Sequence, residues 1–470
     1  MLNKLEYKKL CQVCDLIIEN STSISRNSIS YLHIIRPHHI DLKKYQIIFS
    51  ESNARFFLNS LIKFLKVFLN FIFSFLKILF NSNSNFKNST NVDIFFVSHL
   101  FNKYQLLNNQ DLYFHNLSED LNCKSLKVKR IFIKHTKEKI NSKDDFIIGN
   151  LSIVYEIIIR LLQIKEFLIL LYTSIFDSKT SLEKRVKIQS SIDCLSYSTL
   201  SNLRTYFYIK KLVQQYSPKL ILTTYEGHAY ERLIYKAINS SEYTISSGYQ
   251  HSAVFKHQHS ILKNRGGGYD PNFIFTSGKI THDFFKNYFD KRKLLELGST
   301  RGSLFANKEI NKSTILVIPE GLIDDVDVFI SLIKSVSKKI KNFQFIIRFH
   351  PSIPKKIIQK RKESLKDIKH IIFSNSSLEE DILKSNYVLY KGSTAVFSSI
   401  ISGLTPIYYD LNEIDLNPLF ELKDSIQYVK EVDDFANIVE DDLDTKTKNK
   451  TYCKKYFTDF NSLSILNLIN

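Results

Sequence analysis

The chain has few of the residues on which secreted and disulfide-bonded proteins depend. Its 470 residues include five cysteines, one methionine and no tryptophan. Cys11 and Cys14 have the spacing of a metal or redox motif, but no second pair follows them. A spacing of three in a mostly apolar segment indicates two buried helix positions instead. The N-terminal segment also lacks the apolar run of a secretory signal. We therefore expect a cytoplasmic protein with reduced thiols.

Acidic residues are also in deficit, because 47 of them face 65 lysines and arginines and leave a net charge of +18. Such an excess indicates an anionic partner. The basic residues are spread along the chain, with no basic arm, zinc finger or RNP-like aromatic motif, which argues against nucleic acid. The remaining candidates are an anionic membrane surface and an acidic substrate such as a nucleotide-activated sugar.

One long segment has no acidic residue at all, from Glu51 to Asp93. Within it, residues 57–80 are mostly apolar, and their polar residues recur at helical spacing, which predicts an amphipathic helix with one narrow polar stripe. The helix is long enough to span a bilayer, but each of its lysines would cost about 2.5–3.5 kcal/mol near the bilayer centre. We expect it either to lie in a membrane interface or to pack in the core of the N-terminal half.

The remainder of the chain alternates short apolar runs with helical stretches, which predicts doubly wound α/β domains. The strand-like runs lie at 45–49, 93–98, 218–224, 243–247, 272–276, 315–318, 343–347, 370–373 and 387–390. The chain is too long for one ordinary core, and the three glycines at 266–268 are its strongest linker signal. We predict two Rossmann-like domains with a cleft between them, residues 1–265 and 266–470, and a terminal helix that packs back on the first.

Polar residues follow several of these strands, at the carboxyl ends where open α/β sheets bind ligands. The candidates in the first half are Glu226, Gly227, His228, Glu231 and His251. Those in the second half are Glu320, Gly321, Arg348, His350, Pro351, Gly392, Ser393, Thr394 and Ser398. His, Arg and hydroxyl side chains at the ends of buried strands favour a site for a nucleotide phosphate.

Three short motifs occur in a fixed order, namely Glu226-Gly227, His350-Pro351 and Ser393-Thr394. In this order they resemble the acidic-Gly, His-Pro and Ser-Ser motifs of bacterial sialyltransferases and capsule polymerases that use CMP-activated sugars. The succession of two α/β domains resembles the GT-B glycosyltransferase architecture. The match departs from the family at Tyr225, where a second acid often stands, and at Thr394, which replaces a serine unless Ser398-Ser399 is the true counterpart.

The resemblance implies a metal-independent, inverting glycosyltransferase with no cofactor beyond its nucleotide-sugar donor. The donor would carry a sialic-acid-like or Kdo-like sugar, and the acceptor would be a surface polysaccharide or a lipid-linked glycan. Glu226 would act as the base that accepts the acceptor's proton. His350, Arg348 and the Gly392-Ser393-Thr394 segment would stabilise the departing phosphate. Such an enzyme would be cytoplasmic, and the 57–80 helix would make it peripheral on the inner leaflet.

Each of these residues also has a purely structural interpretation. Ser393 and Thr394 would cap a helix, His350 would be a turn residue, Arg348 would form a salt bridge, and Glu226 would be an acid suited to a helix N-terminus. Rival functions are a CDP-activated polyol-phosphate transferase and a sugar-nucleotide epimerase of the same architecture. A non-catalytic scaffold of a polysaccharide assembly complex is the alternative from another class.

Overall fold

The structure is a computed structural model that describes the chain except residues 1, 39–41, 51, 80–90, 108–110, 137, 139–141, 143–144, 303–313, 352, 367, 412–413 and 470. Within the described residues, two parallel β-sheets follow one another along the chain, and apolar clusters cover both faces of each sheet. The predicted α/β fold, GT-B-like with two Rossmann-like domains, is therefore confirmed.

Helices separate most of the strands. They are α1 (Lys4–Glu19), α2 (Ile24–Asn27), α3 (Gln46–Ser50), α4 (Asn53–Leu79), α5 (Tyr104–Leu107), α6 (Leu117–Asn122), α7 (Ile153–Phe176), α8 (Ser181–Cys194), α9 (Tyr197–Tyr216), α10 (Ala229–Ile238), α11 (Lys279–Phe285), α12 (Ile323–Lys339), α13 (Lys355–Glu363), α14 (Leu378–Leu383), α15 (Ala395–Ile401), α16 (Leu443–Tyr456) and α17 (Leu463–Ile469).

The first sheet has seven parallel strands in the order β3-β2-β1-β4-β5-β6-β7. They are β1 (Ile94–Leu100), β2 (Val128–Lys134), β3 (Phe146–Ile147), β4 (Leu220–Thr224), β5 (Ile245–Gln250), β6 (Phe273–Thr276) and β7 (Leu294–Glu296). Alternate residues of β1 enter different clusters, since Phe95 packs with α7 and α9 whereas Phe96 packs with α6 and α17. A strand buried on both faces appears in the sequence as a continuous apolar run.

The second sheet has six parallel strands in the order β10-β9-β8-β11-β12-β13. They are β8 (Thr314–Val317), β9 (Gln344–Ile347), β10 (Ile371–Phe373), β11 (Tyr387–Tyr390), β12 (Thr405–Tyr409) and β13 (Gln427–Val429). Its two faces pack against α12 on one side and against α15 and α16 on the other.

The prediction that 272–276 begins the second sheet is wrong. Strand β6 hydrogen-bonds to β5, and β7 extends the same sheet, so sheet membership changes between Glu296 and Thr314 and not at residue 265. The glycines at 266–268 all have positive φ and form a turn inside the first half. The Asp270 carboxylate accepts hydrogen bonds from the backbone N–H groups of Arg265 and Gly266 and holds this turn in place.

The prediction of a strand at 45–49 is also wrong, because α3 begins at Gln46. Tyr45 and Ile48 are both buried in the cluster around α1. Two buried residues three positions apart lie on one face of a helix and on opposite faces of a strand. The 57–80 helix is present as α4, with residue 80 outside the described part of the chain.

The C-terminal segment crosses from the second half back to the first. Tyr456 of α16 packs in the cluster of the second sheet, whereas Ile465 of α17 packs against the first. Between them, the N–H of Asn461 donates to the carbonyl of Leu297 at 2.7 Å. The sequence predicted a terminal helix that packs on the first half. The segment that leads to α17 gives the chain a second connection between the two halves.

Candidate active site

The order of each sheet reverses at one point, and the polar candidate residues gather there. In the first sheet the reversal lies between β1 and β4, and in the second between β8 and β11. Ligands of open α/β sheets bind outside the carboxyl ends of the strands at such a switch point. We call Glu226, Gly227, His228 and His251 the first edge, and we call Glu320, His350 and residues 391–394 the second edge.

Glu226 is the central carboxylate of the first edge. Ser252 donates its hydroxyl to Oε1 of Glu226 at 2.5 Å, and Nε2 of His228 lies 3.2 Å from Oε2. Burial would raise the pKa of Glu226, but the hydrogen bond with His228 outweighs it and, with a smaller contribution from the charge of Arg36, holds this pKa well below its usual range. The carboxylate is therefore ionised at neutral pH, and the bond with Ser252 shows that it accepts a hydrogen bond from a hydroxyl group.

Glu231, another first-half candidate, has a structural role in this loop. Its Oε2 accepts the backbone N–H groups of Glu226, Gly227 and His228 at 2.7–2.9 Å, and its Oε1 accepts the hydroxyl of Thr224 at 3.1 Å. The carboxylate is fully buried. It fixes the loop that presents Glu226 and has no surface from which to take an acceptor's proton.

Gly227 is required by the backbone of the first edge. Its φ is +90°, and a Cβ there would lie 2.4 Å from the carbonyl carbon of Ser260. The group that approaches Gly227 closely is the Ser260 segment of the same chain. The Ser260 hydroxyl donates to the carbonyl of Gly227 at 2.6 Å.

Buried aromatic and imidazole rings surround Glu226. Nε2 of His251 lies 3.8 Å from Oε1 of Glu226, and the ring of Tyr113 packs edge-on against His251 at 4.6 Å. Burial lowers the pKa of His251 to about 4. His99, at the end of β1, bonds His135 at 2.8 Å, and burial lowers its pKa to about 3. The imidazoles of His251 and His99 are therefore neutral at pH 7.

The second edge presents the side-chain hydroxyls of Ser393 and Thr394. Within the described residues, neither Ser393 nor Thr394 makes a side-chain hydrogen bond, and no side chain caps α15. The simple capping role is therefore absent. Directly before them, Gly392 lies against the carboxylate of Glu320, because a Cβ on Gly392 would meet Oε1 at 2.1 Å. Glycine here lets the end of β11 approach the end of β8.

The Arg348-Phe349-His350-Pro351 segment divides its residues between two roles. Nη1 of Arg348 donates to Asp381 at 2.9 Å and to the carbonyl of Ser376 at 2.7 Å. Arg348 thus forms the salt bridge that was its structural interpretation. His350 and Pro351 are exposed at the end of β9, next in the sheet to β8. Partial desolvation of the His350 ring lowers its pKa, so the imidazole is mainly neutral at pH 7.

Ser398 does not face the second edge in this structure. Its hydroxyl donates to the carbonyl oxygen of Arg301 at 3.1 Å and joins α15 to the segment between the two sheets. Gly321 is partly buried beside Glu320. Of the second-half candidates, the structure thus brings Glu320, Gly392, Ser393 and Thr394 to the switch point.

Residues 34–38, which we call the bridge, connect the two edges, and sequence reasoning missed them. The carbonyls of Ile34 and Ile35 accept the N–H groups of Ser260 and His259 at 2.9 and 3.0 Å, so the bridge begins on the first half. It then reaches the second half, where Nε2 of His38 lies 2.6 Å from Oε2 of Glu320. Between these points, Arg36 contributes to the low pKa of Glu226 and opposes protonation of His38.

His38 completes a buried ionic cluster at the second edge. Its Nε2 is also 3.5 Å from Asp325, whose other oxygen is 3.3 Å from Nζ of Lys391. Burial would lower the pKa of His38, but the bonds to Asp325 and Glu320 outweigh it and raise this pKa to about 9. His38, Glu320 and Asp325 have the chemistry of a metal site. With His38 protonated, the cluster holds two cations, His38 and Lys391, and two carboxylates, Glu320 and Asp325.

The missed residues share one property, which is that their partners are remote in sequence. His38 lies more than 280 residues from Glu320, and Tyr113 lies 138 residues before His251. The signal available was the position of His99, directly after the predicted strand at 93–98. Arg301, in the segment after β7, opposes protonation of His251.

No protein-family model and no curated protein matches this chain. Solved structures with similar folds include the UDP-GlcNAc 2-epimerase of Neisseria meningitidis bound to UDP-GlcNAc, at 9% identity and a TM-score of 0.47, covering 80% of this chain and 99% of that one. S. aureus MnaA with UDP has 10% identity, a TM-score of 0.48 and coverages of 80% and 96%. S. aureus TarM, in complex with fondaparinux, alpha-GlcNAc-glycerol and UDP, has 15% identity, a TM-score of 0.39 and coverages of 57% and 59%.

Proposed function

We propose that the protein is an inverting glycosyltransferase that takes its sugar from a nucleotide-activated donor. The observation that carries this proposal is the contrast between the two switch points. One holds an ionised carboxylate among neutral imidazoles, and the other holds two hydroxyls without a side-chain hydrogen bond to the described residues, beside a buried lysine. Transfer of a sugar needs both a proton acceptor and a site for a leaving phosphate.

At the first edge, Glu226 is the base. It is ionised at neutral pH, and its Oε1 already accepts a hydroxyl hydrogen from Ser252. An acceptor hydroxyl that replaced the Ser252 hydroxyl would be oriented for attack with its proton directed at the carboxylate. His251 is neutral at pH 7 and lies 3.8 Å from the same oxygen, which leaves Glu226 as the proton acceptor.

At the second edge, Ser393 and Thr394 would donate hydrogen bonds to the donor's phosphate oxygens. Lys391 supplies positive charge behind them, although its ammonium is 3.3 Å from Asp325. His350, exposed at the neighbouring strand end, is placed to donate to a phosphate or to the nucleotide. Hydrogen bonds to a charged acceptor are each worth about 1.5–3 kcal/mol.

The finer part of the proposal is a CMP-linked donor with a sialic-acid-like or Kdo-like sugar, and a surface-polysaccharide or lipid-linked acceptor. It rests on the order of the three motifs, Glu226-Gly227, His350-Pro351 and Ser393-Thr394. The geometry itself asks only for a phosphate-bearing donor.

Thermal unfolding with CMP, CDP, UDP and GDP tests the proposal, because a ligand of the native state raises apparent stability by mass action. We expect CMP to raise the unfolding temperature of the wild type, and we expect His350→Ala to reduce this shift. His370→Ala is the matched control, since His370 lies at the amino end of the same sheet. A shift with UDP or GDP alone would exclude the CMP donor, and no shift with any nucleotide would exclude the transferase.

A further inference from the structure

Helix α7 is inside-out for a helix on the surface of a protein in water. The residues that it buries are mainly polar or charged, namely Glu156, Arg160, Gln163, Glu166 and Ser174. The residues that it exposes are mainly large and apolar, namely Val154, Ile157, Ile158, Leu161, Ile164, Leu168, Ile169, Tyr172, Ile175 and Phe176. A soluble amphipathic helix has the opposite arrangement.

The buried charged and amide side chains of α7 are engaged with neighbouring segments, which fixes this orientation. Arg204 of α9 forms two hydrogen bonds with Glu156, at 2.7 and 3.0 Å. Arg26 pairs with Glu166, and Nε2 of Gln163 donates to the carbonyl of Cys194 at 2.7 Å. Rotating α7 to bury its apolar face would leave these charges unpaired, at a cost of several kcal/mol.

Helix α4 continues the same apolar face. Its exposed residues are Phe57, Leu58, Leu61, Ile62, Leu65, Phe68, Leu69, Ile72, Phe73 and Leu76. The rings of Phe64 in α4 and Phe167 in α7 stack at 5.6 Å. Such a contiguous face greatly exceeds the scattered apolar residues that are normal on a protein surface.

Helix α4 lies along the protein and does not leave it. Within the described residues it alone is long and apolar enough to cross a membrane, over Asn53–Leu76. It is, however, hydrogen-bonded to its neighbours at both ends: Ser60 and Lys63 bond Gln189 at 2.7 and 2.8 Å, and Ser74 accepts from Arg160 at 2.6 Å. These bonds hold α4 flat against α7 and α8.

The charges on this face have one sign. Helix α4 has no acidic residue, and both acids of α7 point inward. Among the described residues of the two helices, the exposed ionisable groups are Arg55, Lys66 and Lys165. In a symmetric dimer through this face, each cation would meet cations of the other copy, which disfavours a second copy as the occupant.

We propose that the α4–α7 face lies in the interface of an anionic lipid bilayer, with both helices parallel to the membrane plane. The apolar side chains enter the boundary between headgroups and acyl chains, and the lysines and arginine contact lipid phosphates. This inference stands apart from the proposed transferase activity, because neither helix contributes a residue to the two edges.

Flotation of the full-length protein with vesicles tests this proposal. We expect binding to equimolar phosphatidylcholine and phosphatidylglycerol, and at least about tenfold weaker binding to phosphatidylcholine alone. Leu161→Glu on α7 and Leu65→Glu on α4 would each weaken binding by about tenfold or more, since each replaces an exposed apolar side chain, which would enter the bilayer, by a charge. Leu443→Glu is the matched control, because Leu443 is 79% exposed on α16 and we expect no change there.

Three results would overturn the proposal. One is failure of the wild type to float with anionic vesicles. Another is equal flotation of the wild type and both face variants. The third is a stable dimer in solution that Leu161→Glu dissociates and vesicles do not compete for, which would make the face a protein interface. Unchanged thermal unfolding and an unchanged circular dichroism spectrum of each variant show that lost flotation reflects the face and not misfolding.

Discussion

The two carboxyl edges use similar residues in opposite ways. At the first edge, the polar groups are hydrogen-bonded to one another. Glu226 bonds Ser252 and His228, and the Glu231 carboxylate accepts backbone N–H groups of the loop that presents Glu226. At the second edge, the hydroxyls of Ser393 and Thr394 face no protein partner within the described residues.

This difference separates proton chemistry from ligand binding. A base must be held in one position and one protonation state, which a closed hydrogen-bond network achieves. A phosphate site must instead keep donors available until the ligand arrives. Substitutions at the first edge should therefore affect turnover, and those at the second edge should affect affinity.

The largest effect is expected for Glu226→Gln, which keeps the shape of the side chain and removes its charge. We expect nucleotide release from the donor to fall by about 10²–10⁴, because a positioned base contributes that much. Nucleotide affinity should stay the same. Glu242→Gln, at an exposed acid before β5, is the control. Equal losses of turnover and affinity in Glu226→Gln would contradict the division of roles.

The rigidity of the first edge predicts a large loss of stability for Gly227→Ala. The new Cβ would meet the backbone of Ser260 at 2.4 Å in a residue with φ of +90°. We expect the free energy of unfolding to fall by roughly 2–5 kcal/mol, measured by urea titration. Gly266→Ala is a matched control: its φ is +65° and nothing lies within 4 Å of a Cβ, so only about 1 kcal/mol should be lost. Equal losses would refute the packing explanation.

A smaller effect is expected at the second edge for Ser393→Ala. Loss of one hydrogen bond to a charged phosphate should weaken nucleotide binding by about tenfold or more, measured by calorimetry. Ser364→Ala removes a hydroxyl that bonds only locally, to the carbonyl of Arg361 at 2.8 Å, and should change nothing. If Ser393→Ala changed turnover at saturating donor and kept its nucleotide affinity, Ser393 would act in catalysis and not in donor binding.

The bridge predicts a modest dependence of stability on pH. The pKa of His38 is about 9 in the folded protein, above its usual value of 6.5, because Asp325 and Glu320 favour the protonated form. The folded state therefore binds more protons between these values, and the free energy of unfolding falls as the pH rises from about 6.5 to about 9. Urea titrations should show this fall in the wild type and a smaller one in His38→Gln. Parallel stability–pH profiles of the wild type and His38→Gln would show that the pKa of His38 is not raised in the folded protein.

The sequence was sufficient for most of the strands, the α4 helix and the position of Glu226, because these depend on local periodicity and on the order of residues along a strand. It misplaced the boundary between the sheets, since a run of glycines signals a turn equally well inside a domain. It could not reveal the bridge or the inside-out packing of α7. Those depend on partners such as Arg204 for Glu156 and Glu320 for His38, which only the folded chain brings together.

Nucleotide-induced stabilisation of the wild type, Glu226→Gln and Ser393→Ala, measured side by side, tests the central claim most directly. The division of roles predicts that a nucleotide raises the unfolding temperature of the wild type and of Glu226→Gln equally, and that Ser393→Ala loses most of the shift. Loss of the shift in Glu226→Gln with full retention in Ser393→Ala would contradict it.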